Sequence, residues 1–384
     1  QRTMAGVVRY QDPSSGLWWE VMDKGAQAGN FPEASASCMF VYALQKGVRR
    51  GYLPVTDAAA ARRGWDGVLQ RFVRTEPDGM VSLTGIIRGA GLGGTPYRSG
   101  TYAYYIGERV GANDGKGLGA FLMAAGEMEY APTATQARGK TVLLDAWFNA
   151  QTRTNAAGVT ELFHYKWDDD SDPGFSFFGR AFANYGARLA ELTTAPTAAA
   201  LAGAQVYLIV SPDNASKNPH PHAMDAKSAA AIAAWVRRGG VLLLLSNDAA
   251  NTEFEHFNLL ADRFGMHFNP VLRNHVVGDD YAAGTVEIPA GTGVFATAHH
   301  AYMKDTCTIT VSGHAKALVT ATSEPRSDVM LAVAKLGKGT VLGVVDPWVY
   351  NEYVDHRNHL PTAYDQWQAA QDLAAWALRQ AADR

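Results

Sequence analysis

GLWWEVMDKGAQAGNFPEASASCMFVYALQKGVRRGY, running from Gly16 to Tyr52, decides how the opening part of the chain folds. From Pro32 onward Ala36, Met39, Phe40, Ala43 and Leu44 recur at steps of three and four. This predicts an amphipathic helix with Pro32 near its first turn and Gly47 near its end. Glu33, Ser35 and Ser37 cluster at that first turn, so the helix mouth offers free backbone amides, a carboxylate and two hydroxyls toward Trp18 and Trp19. A polar mouth beside two indoles suits a sugar, whose apolar faces stack on rings while its hydroxyls need converging donors and acceptors. The same residues also describe a capped core helix beside buried tryptophans.

Outward from this stretch, the chain to about residue 130 reads as helices joined by glycine-rich loops. Thr56 is placed to cap a helix from Asp57 to Arg74 that turns Trp65, Val68, Leu69 and Phe72 to one side. An extended piece from Ser82 to Ile87 leads into GAGLGGTP, and a further helix runs from Lys116 to Tyr130. Near Thr133 to Lys140 the periodicity changes, which divides the chain into domains at 1–135 and 136–384. Beyond it, TVLLDAWF (141–148), AQVYLIVSPD (204–213), VLLLLSND (241–248) and GTVLGVVDPW (339–348) are apolar strands. Helices are expected over Gly179–Leu192, Asp225–Arg238, Phe254–Phe264 and Tyr364–Ala381, with further strands near 285, 308, 317 and 330. Such alternation predicts a parallel sheet covered on both faces.

Composition narrows the function classes. The 384 residues have a formal charge of −3 and no basic stripe, which argues against a nucleic-acid partner. No apolar run approaches the ~18 residues of a membrane helix, so no membrane partner is expected. The start on Gln1 is read as a processed or cut chain. Cys38 and Cys307 are too few and too far apart for a zinc site or a disulfide framework, and nothing implies a metal or cofactor. Asp168–Asp172 lacks the order of a calcium loop and reads as a solvated acidic turn, and His220 and His222 read as loop residues.

Gly16-Leu17-Trp18, the Glu33–Ser37 run into Phe40-Val41-Tyr42-Ala43-Leu44, Gly51-Tyr52-Leu53, Gly91–Gly94, Tyr97–Thr101, Tyr104-Tyr105 and Gly117 to Glu127 together resemble glycoside hydrolase family 105, the unsaturated rhamnogalacturonyl and glucuronyl hydrolases, relatives of family 88. The resemblance covers the second half of an (α/α)6 toroid. It therefore implies a partner half-barrel, from the same or another chain, or a collapse of this part onto the second domain. It further implies removal of a 4,5-unsaturated uronic acid from lyase-generated oligosaccharides, by protonation of the enol ether and addition of water. The aspartic acid that donates this proton is expected upstream, so no catalytic residue is assigned. Trp18, Glu33, Arg88, Arg98, Ser99, Thr101 and Tyr102 are the implied substrate-binding set, with Arg98 forking onto the uronate carboxylate. Where relatives often carry Gln, this chain has Glu20. Bacterial periplasm and cytoplasm both remain open.

Gly239-Gly240 entering a strand that ends at Ser246-Asn247-Asp248 resembles a flavodoxin-like, class I glutamine amidotransferase-like domain without its elbow cysteine. At the predicted carboxyl ends of its strands lie Asp145, Asn149, Asp213, Asn214, Asn247, Asp248 and Asp346, where an open α/β sheet borders its ligand crevice. With Trp167 and Trp348 beside them, this rim is expected either to join the barrel's sugar pocket or to hold a second carbohydrate site; strand termini and helix caps are the plainer alternative. The competing functional class is a noncatalytic carbohydrate-binding or scaffolding protein.

Overall fold

The computed structural model describes residues 1–25, 27–323 and 326–381. It divides into two compact units, 1–136 and 137–384.

The first unit contains α1 (Arg2–Arg9), α2 (Ala34–Arg49), α3 (Ala58–Phe72), α4 (Tyr102–Ile106) and α5 (Gly115–Glu129). Between them run the short strands β1 (Val73–Thr75), β2 (Val81–Leu83), β3 (Ile86–Ile87), β4 (Leu92–Gly93), β5 (Arg98–Ser99) and β6 (Val110–Gly111), paired as β1-β2, β3-β6 and β4-β5. Helix α2 begins two residues after Pro32 because Glu33 is its N-cap, accepting from the Ala36 amide at 2.6 Å. On α3 the cap is Asp57 rather than Thr56, and its side chain makes no capping bond. Helix α2 packs between α3 and α5, burying Cys38, Val41, Leu44 and Val48 at helical spacing. Gly64 on α3 permits this approach, since a Cβ there would lie 2.8 Å from both the Trp18 ring and Val41. Arg49 on α2 and Glu127 on α5 form a buried bidentate pair at 2.8 and 2.5 Å. The outer helical surfaces leave Met39, Leu69, Leu122 and Met123 exposed.

The second unit runs β7 (Thr141–Asp145), β8 (Thr152–Thr154), β9 (Thr160–Leu162), α6 (Ser176–Ala183), β10 (Arg188–Leu192), β11 (Val206–Val210), α7 (Ala226–Arg237), β12 (Val241–Leu245), α8 (Phe254–Ala261) and β13 (Met266–Arg273). There follow β14 (Thr285–Ile288), β15 (His299–Tyr302), β16 (Thr306–Val311), β17 (Lys316–Ser323), β18 (Arg326–Leu336), β19 (Gly339–Val344), α9 (Asn351–Val354) and α10 (Gln366–Gln380). The main sheet has the order β10-β7-β11-β12-β19-β18-β16-β13, with β17 on β18. Its first five strands are parallel and, counted along the chain, stand in the order 2-1-3-4-5 of flavodoxin-like sheets. β7, β11, β12 and β19 are buried throughout, as strands covered on both faces must be.

Two expectations are corrected. The sheet is mixed, because β18, β16 and β13 pair antiparallel beyond β19. The helix expected over Gly179–Leu192 stops at Ala183; Gly186, at φ 85°, turns the chain, and Arg188–Leu192 fills the free edge of β7. Helical periodicity in ARLAEL (187–192) is a local signal, whereas an unpaired strand edge recruits whatever apolar alternation lies beside it. Among the described residues no helix is long and apolar enough to cross a membrane.

Candidate functional site

In the helical unit the candidate site is the mouth of α2. The Glu33 carboxylate is buried and fully supported. It accepts from the amides of Ala36 (2.6 Å) and Ile87 (2.9 Å) and from the Ser35 hydroxyl, so it caps α2 and ties β3 to it. Ser37 accepts from the Trp18 amide at 3.2 Å.

Trp18 itself is wholly enclosed. Its indole N–H donates to the Val7 carbonyl at 2.7 Å, and its ring meets Phe40 edge-on. An enclosed ring has no face for a sugar, so Trp18 is a core residue of this unit, while its neighbour Trp19 is only half-buried. Two adjacent tryptophans in an extended segment point opposite ways, and the sequence did not say which goes inward.

Arg98 and Ser99 lie exposed on β5, with the Arg98 guanidinium donating to the Gly93 carbonyl at 2.9 Å. Ser99 and Thr101 share a hydroxyl hydrogen bond of 3.0 Å, and Thr101 caps α4. The Tyr102 hydroxyl donates to the carbonyls of Gln27 and Ala28, both at 3.1 Å, anchoring that loop. Arg88 is exposed, and its carbonyl accepts from Lys116. Glu20, which the family resemblance already set beside these residues, follows Trp19 in the segment leading to α2. Glu20, whose amide donates to Phe31, has a half-buried side chain pushed up to about 7 by burial, then by the charges of Glu33 and Glu108. Glu108 also holds the Tyr104 phenol above its ordinary range by hydrogen bonding, while the Arg98 charge acts oppositely on that phenol.

The carboxyl ends of the parallel strands in the second unit carry a different arrangement. Asp145 accepts from the Phe148 amide (2.7 Å) and the Tyr207 hydroxyl (2.8 Å); burial pushes it up to about 6. Asp213 accepts from the Ala150 amide and the Gln151 side chain, and Asp248 from the Ala250 amide and Asn251. His164 and Tyr165, at φ 67° and 58°, turn Lys166 into the interior, where its ammonium donates to Asn149 (2.8 Å) and the His164 carbonyl (2.9 Å). Burial lowers both Lys166 and His164, the latter to about 4. Asn351 binds the carbonyls of Asp169 and Ser171 and the Phe177 amide.

Trp167 is partly buried, its indole donating to the Ala190 carbonyl at 3.1 Å. Trp348 is enclosed, which removes it as a sugar platform. Of the acidic turn, Asp169 is buried and paired with Arg153, against the expectation of a solvated run; Asp168, Asp170 and Asp172 are exposed. His222 stacks on Trp147 at 3.4 Å. These groups chiefly hold the loops that leave the sheet.

The Glycosyl Hydrolase Family 88 model matches residues 1–131. Protein Atu3128 of Agrobacterium fabrum and the 24.9 kDa protein in picA locus of Rhizobium radiobacter are each 41% identical to this chain over 133 residues, which are 33% of this chain. The chain spans 57% of the length of these curated relatives. A solved glycoside hydrolase of family 105 from C. acetobutylicum ATCC 824 is 44% identical over 33% of this chain and 35% of its own, with a TM-score of 0.32. The mmIFT52 N-terminal domain is 15% identical over 62% of this chain and 97% of its own, with a TM-score of 0.45. By sequence, the helical unit is similar to the glycoside hydrolases of families 88 and 105.

Proposed function

We propose that this chain is part of an unsaturated uronyl glycoside hydrolase, which removes a 4,5-unsaturated uronic acid from the non-reducing end of lyase-generated oligosaccharides. The observation that carries the reading is the family 88 match over residues 1–131, nearly the whole helical unit. In this reading a further half-barrel, from the same or another chain, completes the pocket and covers apolar side chains such as Leu122 and Met123. Arg98 takes the uronate carboxylate, because a planar guanidinium matches both oxygens, and Ser99, Thr101 and Tyr102 line the approach. Glu33 acts by fixing α2 to β3 rather than by touching sugar, since its oxygens are occupied by protein donors.

The second unit is read as an amidotransferase-like fold without amidotransferase chemistry. Supporting this, Cys307 lies buried within β16 with its thiol pushed up by burial, and Cys38 is buried on α2, so neither occupies a turn after a parallel strand.

An assay of the chain on a lyase-generated unsaturated disaccharide tests the function, followed as loss of absorbance of the conjugated double bond. Consumption of the substrate is expected once the half-barrel that completes the pocket is supplied; binding without turnover in that assembly would establish a noncatalytic carbohydrate-binding protein instead.

A further inference from the structure

We propose that Gly91 is a positioning residue: it leaves the space in which the Arg98 guanidinium lies, and so reserves that side chain for a free sugar carboxylate rather than its ester. The inference rests on the hydrolase reading above and deepens it, by naming what fixes the anion-binding group and which form of the uronate it selects.

An exposed arginine ordinarily keeps many rotamers, and fixing it on a ligand costs entropy. Arg98 is exposed but is held by its own hairpin. Gly93 on β4 pairs with Arg98 on β5, and the Gly93 carbonyl accepts from Nε at 2.9 Å. A Cβ on Gly91 would stand 2.6 Å from Nη1, 2.8 Å from Cζ and 3.3 Å from Nε, and one on Gly94 would stand 3.2 Å from Nη2. The guanidinium therefore fills the room that side chains at 91 and 94 would take. Backbone, rather than a neighbouring side chain, decides where it lies.

The Nε–H is used on Gly93, whereas Nη1 and Nη2 have no hydrogen-bond partner among the described residues. Paired N–H groups at that end match a carboxylate, which offers two equivalent charged oxygens; a methyl ester offers one carbonyl oxygen and no charge. Because the cation is already placed, little of its freedom remains to be lost on binding. Gly91 is the position that tests this. Its φ lies outside the left-handed region, while Gly93 and Gly94 stand at 73° and 85°. The three atoms nearest its would-be Cβ all belong to Arg98, the far end of a flexible side chain, so Gly91→Ala displaces the guanidinium and leaves the rest of the hairpin in place.

The experiment compares the wild type with Gly91→Ala, Arg98→Ala and the double variant. Proton–nitrogen NMR of the full chain follows the Arg98 Nε–H, a readout that needs no ligand. Calorimetry on the chain assembled with the completing half-barrel gives affinities for a lyase-generated unsaturated disaccharide and for its methyl ester. The wild type is expected to show a slowly exchanging Nε–H and to bind the acid about tenfold more tightly than the ester. Gly91→Ala is expected to hold the melting temperature within a degree or so, shift the Nε–H signal and speed its exchange, and bring the acid-to-ester ratio to about one. Arg98→Ala should abolish the same preference, and adding Gly91→Ala to it should cost nothing more, since the glycine acts only through Arg98. Gly91→Ala that keeps both the signal and the preference overturns the inference and leaves the hydrolase reading standing. So does a loss of affinity that persists when Gly91→Ala is placed on Arg98→Ala. A wild type that binds acid and ester alike overturns the inference by taking the carboxylate away from Arg98, and one that binds neither overturns the hydrolase reading as well.

Discussion

The α2 mouth and the sheet rim of the second unit are built from the same residue types and use them in opposite ways. At the rim, Asp145, Asp213, Asp248, Asn149, Asn351 and Lys166 direct their polar atoms at backbone and at one another. At the mouth, Glu33 is satisfied in that manner, while Arg98, exposed on β5, retains capacity for a ligand. Buried acids beside aromatics are therefore weak indicators of a site on their own; the informative quantity is how many donors each acid already has.

Several substitutions break or sharpen this contrast. The largest effect is expected for Trp18→Ala, about 3–5 kcal/mol of lost stability in chemical denaturation, since it empties a core position. If the variant instead kept its stability and lost sugar affinity, the assignment of Trp18 to the core would be wrong. Asn351→Ala follows, at about 2 kcal/mol, because buried carbonyls of Asp169 and Ser171 lose their donor. An increase in hydrogen exchange confined to residues 169–177 would mark the loop this side chain secures. Arg98→Ala is expected to leave the melting temperature within a degree or so and weaken sugar binding about tenfold, roughly 1.4 kcal/mol; unchanged affinity by calorimetry would take Arg98 out of the site.

The smallest is a slope. With Asp145 raised from 3.8 to about 6, the folded state holds that proton more firmly than the unfolded chain does. Its contribution is therefore present below about pH 4 and is lost as pH rises toward 6. Asp145→Asn should flatten the stability profile over that interval, and an unaltered slope would count against a buried, proton-holding Asp145.

Much of the fold was legible in the chain because its signals are short in range. The helical spacing of Cys38, Val41, Leu44 and Val48 marks the buried face of α2, and VYLIV and VLLLL announce strands covered on both sides. The edge strand at 188–192 was not legible, for its sequence is compatible with helix until the free edge of β7 is known. The site was read less well. Arg98, Ser99 and Thr101 do fall together on an exposed hairpin and the cap that follows it. Trp18 and Trp348 were chosen for residue type, and type does not report enclosure.

By itself, then, the sequence determined the periodicities, the change of architecture near residue 136, and a family pattern confined to residues 1–131. Only the tertiary structure decided which of two adjacent tryptophans enters the core, and which donors satisfy the Glu33 carboxylate. Periodicity is written into neighbouring residues, whereas the Ile87 amide that supports Glu33 arrives from 54 positions away, so burial and hydrogen-bond satisfaction exist only once the chain has folded.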